Sequence, residues 1–209
     1  MPLAPRSFAG ATRRAWLLLL LSPALALAQQ STTRGFSVGA HLQATSLTVE
    51  DDEPSNGGGL GVRLGYGFNR IVTGFIQLDG STIAIENGGT ILGDWALGHA
   101  EIGARFHFAN SLRRWVPYLE VSAGGRSVSV SDASVNGQGA GEVSFSGGAF
   151  TLGGGLSTYL TRKVALDVSL KFTGGTFNQV DLGKVSLNNL DIDATSFRLG
   201  VGFVWWPRS

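Results

Sequence analysis

Few side chains in this sequence stand at spacings that could do chemistry. His99 and Glu101 are two residues apart, so an extended strand would project both from one face. That spacing suits a metal pair or a general base held by a carboxylate. It also suits a hydrogen-bonded polar interior, which is the reading the surrounding charge balance favours. His41 and His107 are the other imidazoles. Gly35-Phe36-Ser37-Val38-Gly39 matches the spacing of a nucleophile elbow, which needs a strand before the Ser and a helix after it. Here the residues that follow keep a two-residue rhythm, so Ser37 reads as a strand residue. Glu50-Asp51-Asp52-Glu53 is the densest charge run. It could hold Ca²⁺ or bridge phosphates through divalent ions, though such runs are ordinarily solvated loops. The glycines at 57–59 and 153–155 lack the Lys-Ser/Thr of a phosphate loop. There is no cysteine, which excludes disulfides, thiolate chemistry and a lipid-anchored N-terminus. The expectation is a chain with no catalytic, cofactor or metal site, and not an enzyme.

What remains is a set of charges held by strands. Arg63, Glu101, Arg105, Glu120, Arg126, Asp167, Lys171 and Arg198 each fall on the polar side of an alternating segment, with Asp79 on the same side of another. Eight such segments are visible, near 36–45, 60–67, 72–79, 99–108, 118–126, 150–160, 164–173 and 197–205. Most approach the length of about 9–11 residues that a tilted strand needs to cross a bilayer. The rhythm is weakest in the third, where Phe75 falls on the polar side, and in the sixth, where glycines dilute it. Links at 68–70, 109–115 and 161–163 are short; those at 49–56, 81–93, 131–144 and 174–193 are long. Short turns alternating with long loops are the pattern of an outer-membrane barrel. Phe36, Tyr66, Phe68, Phe106, Phe108, Trp115, Tyr118, Tyr159, Trp205 and Trp206 gather near the short-turn end, as an interfacial girdle would.

Composition gives the sense of the barrel. Charged residues make up 15% of the chain against ~25% in soluble domains. Too few remain for a water-facing exterior, so the apolar face points outward into lipid. Lys and Arg nearly balance Asp and Glu, for a net charge of +1, which gives no bias toward nucleic acid. Residues 1–28 read as a secretory signal peptide: Arg6, Arg13 and Arg14, an apolar run, then Ala26-Leu27-Ala28. Arg13-Arg14 faintly resembles a twin-arginine signal, but ordinary Sec export is the simpler reading. Residues 29–209 then form one barrel domain.

The leader, the eight segments, the Val116-Pro117-Tyr118-Leu119 opening of the fifth and the Phe197-Arg198-Leu199-Gly200-Val201-Gly202-Phe203 closing run together resemble the outer-membrane β-barrel domain family of small OmpA/OmpW-like barrels. The resemblance implies an all-β, eight-stranded antiparallel up-and-down transmembrane barrel in the Gram-negative outer membrane. It departs from many members at the end, where Pro207-Arg208-Ser209 follow Trp206 in place of a terminal aromatic. No periplasmic peptidoglycan-binding domain is expected after the last segment. The expected neighbours are outer-membrane lipid, lipopolysaccharide and, during biogenesis, the barrel-assembly machinery; nothing fixes an oligomeric state. The function expected is a scaffold presenting surface loops, its lumen plugged by the eight charges above. Candidate pairs are Glu101 with Arg105 or Arg126, Glu120 with Arg105 or Arg126, and Asp167 with Lys171 or Arg198. One alternative is a narrow OmpW-like passage for small apolar molecules. The apolar residues of the last long loop, Leu182, Val185, Leu187, Leu190 and Ile192, could extend the barrel or line a mouth for such a ligand. A lipid-modifying barrel enzyme is the other alternative. Lipid A deacylases of this size use a His followed two residues later by Ser, which none of the three His here provides.

Overall fold

The period of two becomes a closed sheet. The computed structural model describes residues 33–49, 53–87, 90–108, 114–135, 138–182 and 185–207. The leader, Glu50 to Asp52 of the acidic run and 109–113 of the second short link lie outside these residues. Eight strands follow in chain order: β1 (Gly35–Val49), β2 (Ser55–Gly67), β3 (Val72–Asn87), β4 (Thr90–His107), β5 (Trp115–Val135), β6 (Gln138–Tyr159), β7 (Val164–Leu182) and β8 (Val185–Trp205). Each pairs antiparallel with its neighbour. β1 also pairs with β8, from Val38 opposite Trp205 to Val49 opposite Ala194, and this closes the barrel. Closure leaves no sheet edge, which is what lets strands cross lipid with every backbone group paired.

The partition of side chains fixes which way the barrel faces. Leu42 is 71% exposed, whereas Arg198 is 1% exposed. Leu60, Ile76, Ile102, Leu152, Leu170 and Phe203 join Leu42 on the outside; Gln77, Glu101, Glu120 and Lys171 are buried. A soluble barrel would show the reverse. Phe75 is buried within the lumen, where the Arg63 guanidinium lies 4.1 Å from its ring centroid. Its place on the polar side is thus a stacking platform and not a break in the pattern.

Two expectations need correction. The stretches at 81–93, 131–144 and 174–193 were expected as loops. They are mostly arms of long hairpins, with β3 running to Asn87, β5 to Val135 and β7 to Leu182. Beyond the lipid an outward side chain no longer has to be apolar, so the hydrophobic rhythm fades while the backbone goes on pairing. Register shifts between Ala84 and Glu86, between Val130 and Ser134, and between Phe177 and Gln179 mark these arms. The aromatic girdle is also smaller than expected. Phe36, Tyr66, Phe68, Phe106, Phe108, Trp115 and Trp205 face outward, but Tyr118, Tyr159 and Trp206 are buried inside. Tyr118 shares the parity of Glu120, and Trp206 turns in beyond the end of β8 to stack on Tyr159 at 5.4 Å.

The short turns are held by side-chain caps. Asn69 Oδ1 accepts from the backbone N–H of Ile71 and Val72 at 2.7 and 2.8 Å. Thr161 Oγ1 does the same for Lys163 and Val164 at 3.2 and 3.0 Å. These are the local bonds by which Asn and Thr favour turns.

Candidate functional site

The lumen is built in three layers. At the short-turn end Val116, Tyr159, Ala165, Val204 and Trp206 form an apolar base. Charged side chains fill the middle. At the long-arm end a second apolar cluster forms around Leu47, Ile83, Leu97, Val128, Phe177 and Ala194. The middle layer contains most of the charges expected there from sequence.

Glu120, on β5, is its hub. Arg63 reaches it from β2 with Nη1 at 3.0 Å from Oε2 and Nη2 at 3.0 Å from Oε1. Arg105 donates to Glu120 Oε2 at 3.0 Å from β4, and Lys171 Nζ lies 3.2 Å from Oε1 as an ion pair from β7. Arg105 also takes Asp167 in a two-pronged contact of 3.0 and 3.2 Å, while its guanidinium lies 3.6 Å from the Tyr118 ring centroid. The Tyr118 hydroxyl donates to Asp167 at 2.8 Å and the Ser157 hydroxyl at 2.5 Å. Arg198 donates to Asp79 Oδ2 at 2.5 Å and, through Nη2, to Glu101 Oε1. His41 Nε2 lies 3.0 Å from Asp79 Oδ1. Four acids, Asp79, Glu101, Glu120 and Asp167, therefore meet four bases, Arg63, Arg105, Lys171 and Arg198. Burial of charge is tolerable only in such a paired, hydrogen-bonded arrangement.

The pairs differ from those expected in all but one case. Glu120 with Arg105 stands, and the two are register partners. Glu101 is bound not by Arg105 or Arg126 but by Arg198, with Lys171 at 3.9 Å. Asp167 is bound by Arg105 and not by Lys171 or Arg198. Long side chains cross the narrow lumen to opposite walls, and the barrel's stagger decides which walls face each other. Arg126 lies outside the belt: its Nη2 donates to the carbonyls of Gly175 and Ala194 at 2.6 and 2.7 Å. Asp79, Gln77, Tyr118, Thr151 and Ser157 belong to the belt but were absent from the expected set. All five have inward parity; Asp79 already stood on the polar side in sequence, whereas Gln77, Tyr118, Thr151 and Ser157 carry no formal charge to mark them.

Glycine makes room for two of these contacts. A Cβ on Gly61 would collide with Asp79 Oδ1 and the His41 ring, and one on Gly155 would collide with the Tyr118 hydroxyl and the Val168 carbonyl. The belt leaves little free space. A gap of about 20 Å³ beside His41, Ser169 and Lys171 has room for about one water.

The arrangement offers little for catalysis. Ser37 is buried in an extended strand, without the helix an elbow requires. Thr73 Oγ1 lies 3.2 Å from His107 Nε2, but His107 Nδ1 has no hydrogen-bond partner to orient the ring. His99 and Glu101 do not bond to each other; both His99 nitrogens are unpartnered. Among the described residues no group of His, Asp or Glu has the grouping of a metal site.

The sequence profile of the outer membrane protein beta-barrel domain matches residues 15–204. The chain belongs to the outer-membrane β-barrel domain family. Among curated proteins none matches it by sequence. Solved structures share its fold. Neisserial surface protein A is 17% identical with a TM-score of 0.61, over 82% of this chain and 96% of that one. The attachment invasion locus protein Ail of Yersinia pestis is 17% identical with a TM-score of 0.52, over 83% and 100%. OprG from Pseudomonas aeruginosa is 11% identical with a TM-score of 0.53, over 85% and 98%. At such identities the likeness is one of fold. Membership places the barrel in the outer membrane. In barrels of this family the short turns are periplasmic and the long arms external. Charge is segregated along the same axis. Among the described residues outside the lumen, Arg34, Arg70, Arg114, Arg162 and Lys163 all lie at the short-turn end, and every Asp and Glu lies on the long arms.

Proposed function

We propose that this outer-membrane barrel is a closed scaffold that presents its hairpin arms outside the cell and conducts nothing, with no enzymatic role. The observation that carries the reading is the charge belt. Four acids and four bases bridge opposite walls, above an apolar base closed by Tyr159 and Trp206. An aqueous path would have to break several buried ion pairs and displace that base. The same two layers weigh against end-to-end passage of small apolar molecules. Export through Sec with cleavage after Ala28, insertion by the barrel-assembly machinery and contact with lipopolysaccharide complete the proposal. The acidic long arms would meet lipopolysaccharide phosphates through divalent cations, and the basic turns would face phospholipid headgroups.

Closure is tested by conductance across a planar bilayer. Presentation is tested by labelling. A Cys at Ser134, near the tip of the β5–β6 hairpin, should react with an impermeant maleimide in intact cells. A Cys at Asn69, in the β2–β3 turn, should react only after the outer membrane is opened. Labelling of the Asn69 position in intact cells would reverse the orientation.

A further inference from the structure

The lumen changes character above the charge belt. Leu47, Trp95, Val128, Phe145, Phe177 and Ile192 line a cavity of about 320 Å³ at the long-arm end. Trp95 stacks on Phe145 with centroids 6.2 Å apart, and Phe145 meets Phe177 edge-on at 6.3 Å. An apolar cavity of about 150 Å³ takes one benzene, so this cup has room for a short aliphatic chain.

Behind the Phe177 wall of the cup lies a layer of buried, incompletely bonded polar groups. Arg126 is buried, and its guanidinium carbon lies 4.5 Å from the centroid of the Phe177 ring, one of the cup's walls. Only Nη2 is used, on the carbonyls of Gly175 and Ala194; Nε and Nη1 have no hydrogen-bond partner. Two neighbours share this condition. His99 stands opposite Arg126 in the β4–β5 register, and Ser196 lies two residues from Ala194 on β8; His99 Nδ1 and Nε2 and Ser196 Oγ are buried and unpartnered. No belt carboxylate reaches Arg126: Asp79, Glu101, Glu120 and Asp167 are committed to the other four cations. One cation therefore remains uncompensated at the boundary between a neutral belt and an apolar cup.

We propose that the cup and the polar layer behind Phe177 form a binding site, open only to the outside, for a medium-chain carboxylate whose head reaches Arg126 past that ring. The chain lies among Trp95, Phe145 and Phe177. The carboxylate accepts from Arg126, with Ser196 and His99 as further donors. One buried guanidinium matches a monoanion; a phosphate dianion would call for a second free cation, which the belt does not supply. The charge-assisted hydrogen bond gives the head its selectivity. The site goes beyond the scaffold reading, since a ligand held above a closed belt is bound and not passed through.

Trp95 is a built-in reporter. The test is quenching of tryptophan fluorescence in the folded barrel by ω-bromooctanoate, compared with ω-bromooctanol and ω-bromooctylammonium. Saturable quenching by the carboxylate is expected, above a linear background from lipid-dissolved probe acting on outward Trp115 and Trp205. Trp95→Phe should remove the saturable part and leave the background. Arg126→Gln should weaken carboxylate binding about tenfold or more, the worth of one charge-assisted hydrogen bond, while binding of the alcohol is unchanged. Val128→Trp fills the cup while keeping the Arg126 charge, and should abolish saturable quenching even if Arg126→Gln folds poorly. Absence of saturable quenching in the wild type would overturn the proposal. So would equal affinity for carboxylate and ammonium, or saturable quenching that survives Val128→Trp. None of these outcomes bears on conductance, so the scaffold reading stands or falls separately.

Discussion

Glu120→Gln should destabilise the folded barrel by about 3–5 kcal/mol, the cost of breaking a buried charge pair from one side. The substitution keeps the size of the side chain and removes only its charge. Arg63, Arg105 and Lys171 converge on this carboxylate. Asp167 still serves Arg105, and Glu101 is 3.9 Å from Lys171. Arg63 is left with Gln77 as its acceptor and no carboxylate. Removing Arg63 as well, as Arg63→Gln in the Glu120→Gln background, should therefore cost less than the sum of the single changes. A coupling of about 0.5–3 kcal/mol is expected for groups in one network. The measurement is urea unfolding of the barrel in lipid vesicles for the wild type, both single variants and the double. Additive effects would mean the ion pair contributes nothing of its own.

Leu170→Arg should have the second largest effect, about 2–4 kcal/mol, because it places a cation on the lipid face near the midplane. Leu170 points outward, half-exposed, on the same strand as inward Lys171. Neighbours along the strand thus carry opposite requirements one residue apart. Leu166, which has the same outward parity, sits two residues from the start of β7 and opposite Phe203. It is closer to the headgroups, where an Arg costs about 0–1 kcal/mol. The ordering to be found by unfolding is Leu170→Arg well below Leu166→Arg in stability, with Ser134→Arg near the wild type. Equal tolerance at Leu170 and Ser134 would contradict a lipid-facing exterior.

The barrel was legible because a membrane imposes one rule on every strand. From Leu60 to Tyr66 or from Ala100 to Phe108 each outward residue must be apolar, and the parity of a single residue fixes the face of all its neighbours. The strand ends were not legible, because that rule stops at the headgroups. At Leu47 and Val49, at Trp95 and Leu97, and at Val128 the apolar residues fall on the parity that is polar lower down. This reversal is present in the sequence. It lies just beyond the segments ending at 45 and 126 and just before the one starting at 99, where the alternation of apolar and polar residues changes sense. The apolar cup went unseen for the same reason, apart from Ile192. In the charge belt, membership followed from parity but partners did not. Arg198 finds Asp79 on β3 and Glu101 on β4, and no local spacing links these positions; the stagger of the whole barrel does. Arg126 shows the limit of choosing by charge. It has the parity and the type of its belt neighbours, yet it sits one layer higher, among backbone carbonyls and Phe177.

Closure of the lumen is the claim on which the scaffold reading rests, and single-channel recording tests it most directly. Purified barrel inserted into a planar bilayer should give no stable conductance steps in the wild type. Glu120→Gln, which removes the hub of the belt, should give more frequent openings. Steady, well-resolved conductance in the wild type that Glu120→Gln leaves unchanged would mean that an aqueous path runs past the ion pairs, and that the protein is a pore.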